Sequence, residues 1–118
     1  MIAHSLRGPI FGPAQQLHGA TYNVTVEFQI ATLDDNGIVI DIGLALKTLK
    51  EVLSDLNFKN LDDVEKFHGK NTTTEFLAGH IHSKLSERIA PFFKGSLKVT
   101  LEESHVAWAS FEGPISTA

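Results

Sequence analysis

The sequence lacks cysteine entirely across its 118 residues. Disulfide bonds, thiolate metal sites and cysteine nucleophiles are therefore excluded together. The chain also lacks any stretch close to the roughly 20 apolar residues that a membrane span requires. Its first residues lack the basic segment and following apolar run of a secretory signal. We therefore expect a cytoplasmic protein that does not enter a membrane.

Concentrated positive charge is missing as well. The ten lysine and arginine residues are scattered along the chain, and the formal net charge is −4. Without a basic stripe the chain has no electrostatic footprint for nucleic acid. What is present is a globular composition, with 42% hydrophobic and 20% charged residues. Length and composition predict a single domain over residues 1–118, with one ordinary core.

Strict alternation of apolar and polar residues marks the first long element, at residues 21–30. The apolar face of this segment carries Tyr22, Val24, Val26, Phe28 and Ile30. Such a pattern is typical of a half-buried strand. The sequence Asp-Asp-Asn-Gly follows at residues 34–37, and Asn-Gly favours a tight hairpin turn. We therefore predict a hairpin whose return strand covers residues 38–42.

Helical periodicity replaces alternation in the middle of the chain. Residues 44–56 place their apolar side chains on one helical face. A capping-box pattern at residues 72–75 opens a second helix, which Pro91 ends. Alternation returns at residues 97–101 and 106–111. The order ββααββ predicts an α+β domain, with two helices on one face of a four-stranded antiparallel sheet. The other sheet face must be solvated or covered in an assembly.

Six histidines are candidates for chemistry. His80 and His82 lie about 200° apart around the second helix, so they cannot converge and are expected at the surface. His68 stands alone in a loop. His4 and His18 bracket a loop rich in Gly and Pro, and they can share a metal only if that loop folds back.

Glu103 is the strongest candidate for a binding residue among the carboxylates. If the alternation of Leu97, Val99 and Leu101 continues, its side chain points inward, where a carboxylate needs a partner. The alternative is a strand that simply ends at Leu101. Asp41 ends the predicted hairpin and is expected to act as a cap or turn former.

Five short motifs occur along the chain in a familiar order. They are LHGATY at 17–22, IVIDIG at 38–43, FKNLDD at 58–63, TTTEFLA at 72–78 and EESHVAWASF at 102–111. Together they resemble the 6-pyruvoyl-tetrahydropterin synthase family, which includes the bacterial 6-carboxy-tetrahydropterin synthases. The resemblance covers nearly the whole chain.

The resemblance implies the tunnelling fold, in which subunits form an oligomeric barrel, usually as trimers paired into hexamers. Active sites of that family lie at subunit interfaces and act on dihydroneopterin triphosphate. A zinc ion polarises the side-chain oxygens of this substrate, a Cys and an Asp-His pair move protons, and a Glu anchors the pterin ring. We therefore expect a homo-oligomer that binds a pterin-like small molecule.

Several chemistry-bearing positions of the family are replaced here. His4 and His18 match zinc ligands, but the second His of the His-Gly-His motif is Ala20. The position of the catalytic Cys is Ala14. A third zinc ligand would have to come from Gln15, Gln16 or His105, or from a neighbouring subunit.

The Asp-His pair of the family is replaced by Asn57 and Phe58. His68 and His105 are the available substitutes for proton transfer. The positions that bind the ring are kept, and they are Thr73, Thr74, Glu75 and Glu103. The resemblance thus favours a divergent homologue, either a lyase with new acid–base groups, a non-catalytic pterin- or purine-binding protein, or a structural oligomer.

Overall fold

A computed structural model describes residues 1–115 of the chain, as an α+β fold with two antiparallel sheets. In the smaller sheet, β1 (Ile2–His4) pairs with β2 (His18–Ala20). The larger sheet has the order β3-β4-β5, with β4 in the centre. Its strands are β3 (Asn23–Gln29), β4 (Gly95–Ser104) and β5 (Ala107–Ile115). The prediction of one four-stranded sheet is therefore wrong.

The predicted hairpin after β3 is only half right. The turn forms, because the Gly37 amide donates to the Asp34 carbonyl at 2.9 Å and Gly37 adopts a positive φ of 75°. The return strand does not form, and the next element is helix α1 (Ile42–Ser54). β3 pairs with β4 instead, from Asn23 opposite Glu102 to Gln29 opposite Ser96.

The core lies between the helices and one face of the larger sheet. Helix α2 (Thr74–Ile89) buries the residues that periodicity predicts, and α1 packs beside it. The largest fully buried side chains of α2 are Leu77, Ile81, Leu85 and Ile89. They join Leu97, Val99 and Leu101 of β4 in one apolar cluster. No helix within residues 1–115 is long and apolar enough to cross a membrane.

The start of α2 lies one residue later than the capping box predicts. Thr73 is the N-cap, and its side-chain oxygen accepts a hydrogen bond from the Phe76 amide at 3.1 Å. Thr72 is buried instead, and its hydroxyl shares a hydrogen bond with Nδ1 of His4. The error arises because three consecutive threonines offer the same capping chemistry.

The prediction that His82 lies at the surface is wrong. Its side chain is only 6% exposed, between α2 and the β4–β5 pair. Nε2 of His82 lies 3.0 Å from the Leu97 carbonyl oxygen and 3.1 Å from that of Gly113. Since a carbonyl only accepts, Nε2 carries the proton and donates to both strands. His80 is half-buried, with its ring against those of Phe67 and Phe76.

Candidate functional site

One cleft, of about 220 Å³, lies where β1, β2, the start of α2 and the end of β4 meet. It brings together residues that are far apart in the sequence. The predicted positions that line it are His4, Ala14, His18, Thr73, Thr74, Glu75 and Glu103. Sequence reasoning therefore identifies most of the polar wall of this cleft.

The two histidines meet through the pairing of β1 with β2. His4 lies directly opposite His18 in this ladder, and their ring centroids are 4.6 Å apart. The intervening Gly/Pro segment folds back through a 3-10 helical stretch, Pro9–Gln15, which is kinked at Gly12. The condition for convergence that the sequence leaves open is thus met.

His4 is the more deeply buried of the two histidines, with only 3% of its surface exposed. Its Nδ1 shares a hydrogen bond of 3.0 Å with the Thr72 hydroxyl. Burial lowers the pKa of His4 below its ordinary value of 6.5, and the nearby charge of His18 lowers it further. Both effects disfavour the cation, so His4 presents a neutral imidazole at neutral pH.

His18 has its tautomer fixed by the backbone. Its Nδ1 donates to the Gln16 carbonyl oxygen at 2.8 Å, which leaves Nε2 as the ring nitrogen available to a ligand. A ring oriented in this way is suited to bind a metal or to contact a polar ligand. The arrangement is the one usually found behind metal-binding histidines.

Two histidines nevertheless fall short of a complete zinc site. Catalytic zinc usually has three protein ligands and one open position. Within residues 1–115, no three His, Cys, Asp or Glu side chains come together to hold a metal. Of the substitutes, Gln15 donates its side-chain amide to the Gly12 carbonyl, and His105 lies in the turn between β4 and β5. The donor set within residues 1–115 of this chain therefore does not fit zinc.

Glu103 reaches the cleft because β4 continues beyond Leu101. The strand extends to Ser104, and its pairing with β5 shifts register between Glu102 and Ser104. Glu103 is the residue left unpaired at this irregularity, and it follows Leu97, Val99 and Leu101 in the alternation of β4. Its carboxylate is exposed within the cleft and can accept hydrogen bonds from a ligand.

The first turn of α2 forms the wall opposite the histidines. Thr73 caps the helix, and the next amides, of Thr74 and Glu75, have no partner within the helix. Tyr22 lies beside them, and burial raises its pKa above the ordinary value of 10.0. Glu103 and Glu75 raise the pKa of Tyr22 further, while its hydrogen bond with Thr74 opposes the rise. Tyr22 therefore stays a neutral phenol.

Four other predicted positions lie outside the cleft of a single chain. Phe58 is 81% exposed and adopts a positive φ of 63°, and the Asn57 side chain accepts from the Met1 amino group at 3.0 Å. His68 lines a separate polar cavity beside Thr72. His105 is exposed in the hairpin turn.

Sequence reasoning missed the apolar part of the cleft, made by Leu6, Phe11 and Tyr22, and it missed Thr72 behind His4. Tyr22 carried a signal, since it begins the alternating face of β3. Leu6 and Phe11 lie in an irregular segment, where no periodicity indicates which side chains turn inward.

The chain is similar in sequence and in fold to known proteins. The family model for 6-pyruvoyl tetrahydropterin synthase matches residues 1–114. The structure of 6-pyruvoyl tetrahydropterin synthase from Caenorhabditis elegans superimposes with a TM-score of 0.81 at 26% identity, over 95% of this chain and 88% of that one. The enzyme from Plasmodium vivax gives 0.75 at 22% identity, over 97% and 90%. No curated protein matches the chain.

Proposed function

Because the chain belongs to the 6-pyruvoyl tetrahydropterin synthase family, we propose that its cleft binds a pterin-like heterocycle. The observation that carries this proposal is the convergence of His4, His18, Glu103 and the start of α2 on one cleft. The family resemblance assigns Glu103 and the start of α2 to ring binding, and His4 and His18 to a metal. The proposal concerns recognition of the ring and needs no metal-dependent step.

Glu103 is the proposed anchor of the heterocycle. A carboxylate accepts two parallel hydrogen bonds from adjacent ring and amino N–H groups, which is a strong, charge-assisted geometry. The amides of Thr74 and Glu75 supply donors for the ring oxygen. Phe11 and Tyr22 offer apolar surface to the ring faces. Each group of the cleft thus has a counterpart on a pterin.

We further propose that the protein acts as a homo-oligomer, a trimer or a hexamer, with the cleft at a subunit interface. An interface brings residues of a neighbouring subunit to the open side of the cleft. The positions of Asn57 and Phe58, and the substitutes His68 and His105, lie outside the cleft of their own chain. In the assembly, any of them can complete the cleft of a neighbour.

The chemistry positions support divergence from the ordinary reaction. Ala14 lines the cleft where the family resemblance places a cysteine, and the methyl group of alanine has no ionisable proton to transfer. General acid–base help is typically worth about 10²–10⁴-fold in rate. We therefore propose binding as the primary activity. A lyase with His4 or His18 as new proton carriers is the second candidate, since both imidazoles face the cleft.

Calorimetric titration with neopterin tests the proposed anchor. Glu103→Ala is expected to weaken binding about 10- to 100-fold, because a hydrogen-bonded charged partner is lost. Glu102→Ala is the matched control, since Glu102 pairs with Trp108 and alternates to the other sheet face. Equal affinity in wild type and Glu103→Ala would refute the anchor.

Turnover separates the two candidate functions. Wild-type protein is incubated with dihydroneopterin triphosphate, with and without added zinc, and products are followed by chromatography. Saturable binding of neopterin without turnover supports a binding protein. Turnover that is lost in His18→Gln but kept in His68→Gln supports a lyase built on the cleft histidines.

A further inference from the structure

A second cavity lies behind Tyr22, on the core side of the molecule. Its volume is about 170 Å³. The walls are mostly apolar side chains contributed by both helices, β1, β3 and β4, and the mouth opens beside the exposed residues Met1 and Asn57. They include Ile2, Leu56, Leu77, Ile81 and Leu101, each at most 7% exposed. Within residues 1–115, no charged side chain lines this cavity.

The apolar interior of the cavity offers water few hydrogen-bond partners. A buried water needs two to four polar partners. Here the polar side chains are those of Tyr22, at one margin, and Asn57, at the exposed rim beside Met1. An engineered apolar cavity of about 150 Å³ stays dry and binds benzene or xenon. This cavity has nearly the same volume and a similar apolar wall, and it differs in being open at the rim beside Met1 and Asn57.

We propose that this cavity is a binding site for a small, uncharged, apolar molecule or group of about the size of a benzene ring. The site is separate from the cleft and does not depend on the function proposed above. An unfilled void deprives its lining of van der Waals partners, so an apolar occupant that restores them binds favourably. Charged molecules of the same shape are disfavoured, because the apolar interior offers them no partner and the one charged group at the mouth, the Met1 amino group, already donates to Asn57.

Tyr22 connects this cavity with the cleft. Its side chain lines both spaces, so an occupant of the cavity touches a residue that also faces the cleft. Tyr22 is the only tyrosine of the chain, and its ring resonances are therefore a specific reporter. Benzene is expected to shift these resonances together with the methyl signals of Leu56 and Leu77.

Nuclear magnetic resonance titration with benzene, and with benzoate as the charged counterpart, tests the proposal. Leu53 lines the cavity from α1, while Leu49 lies one turn earlier with similar burial but outside the lining. Leu53→Phe is expected to weaken benzene binding at least about tenfold, because the added ring occupies the space. Leu49→Phe is expected to leave the affinity unchanged.

Three results would overturn the proposal: linear shifts that do not saturate, equal binding of benzoate, or an equal loss in Leu49→Phe. If Leu53→Phe does not fold, xenon binding to the wild type decides alone, with saturation expected and its absence contradictory. Glu103→Ala should bind benzene as the wild type does. Failure of the pterin proposal is thus distinguishable from failure of this one.

Discussion

At the residue scale, His80 is the histidine whose pKa is lowered most clearly by its surroundings. Its ring centroid lies 4.9 Å from that of Phe67. The ring is also parallel to that of Phe76, with 6.5 Å between the two centroids. Burial lowers its pKa to about 4, and the positive charges of Lys66, Lys84 and Lys70 add to the effect. The imidazole is therefore neutral through most of the physiological range.

This shift predicts a loss of stability in mild acid. The unfolded chain protonates His80 near pH 6.5 and the folded chain only near pH 4. Between these values the unfolded state binds more protons, so the free energy of unfolding falls as pH falls. From pH 7 to pH 5 we expect His80 to account for a loss of about 1–2 kcal/mol. His4 acts in the same direction.

Urea denaturation of the wild type and His80→Gln at both pH values measures this contribution. The variant is expected to lose less stability between pH 7 and pH 5 than the wild type does. His68→Gln, which changes an exposed histidine, should retain the wild-type pH dependence. An identical pH dependence in all three proteins would contradict the assignment to His80.

Some residues can be placed individually from the sequence, and others cannot. Glu103 could be identified because strand alternation fixes its face once β4 is long enough. Thr72 could not, because its role depends on a hydrogen bond to His4, 68 positions earlier in the chain. His82 was misplaced for a similar reason, since helical periodicity cannot show that two strand carbonyls will meet its ring.

At the element scale, the long elements follow from periodicity and the short ones do not. α1 and α2 each have enough turns to display an apolar face, and β3 and β4 enough residues to alternate. β1 and β2 have three residues each, which is too few for any period to appear. Their pairing is nevertheless what brings His4 to His18.

The segment after β3 fails as a strand for a local reason. The Asp34 carboxylate accepts from the amides of Asn36 and Ile38, which completes the turn without a paired strand. Asp41 then caps α1, accepting from the Gly43 amide at 2.9 Å. A helix that begins at Ile42, with Asp41 as its cap, leaves only residues 38–40 of the predicted return strand, and these do not pair. The expected role of Asp41 as a cap is confirmed.

Loss of this cap has a predictable cost. Asp41→Ala is expected to lower the free energy of unfolding by about 1 kcal/mol, because an amide in the first turn loses its acceptor. Guanidinium denaturation measures the difference. Asp41→Ser should retain most of the stability, and Asp35→Ala, in the exposed turn before α1, should change it little. An unaffected Asp41→Ala variant would show that the cap contributes nothing.

At the scale of the whole molecule, the larger sheet has two edge strands, β3 and β5. Within residues 1–115, β3 and β5 each pair with β4 alone. Unpaired strand edges are available for pairing with another chain. β5 also exposes aromatic surface, since Trp108 is 58% and Phe111 45% exposed. Both features suit the oligomer proposed above, and neither could be derived before the strand order was known.

Native mass spectrometry tests the assembly. We expect the wild type as a trimer or hexamer, and Trp108→Glu as smaller species, because Trp108 is exposed on β5 and the substitution places a charge there. Phe92→Glu is the control, since Phe92 is exposed to a similar extent, 67% against 58% for Trp108, but lies outside the strands. A monomeric wild type at micromolar concentration would refute the proposal.

The proton that His82 shares between the carbonyls of Leu97 and Gly113 ties a helix to two strands at one point. α2 cannot separate from the sheet without breaking both hydrogen bonds at once. Local opening of either part is therefore coupled to opening of the other. In hydrogen–deuterium exchange, the amides of α2, β4 and β5 should lose protection as one cooperative unit, while those of β1 exchange earlier.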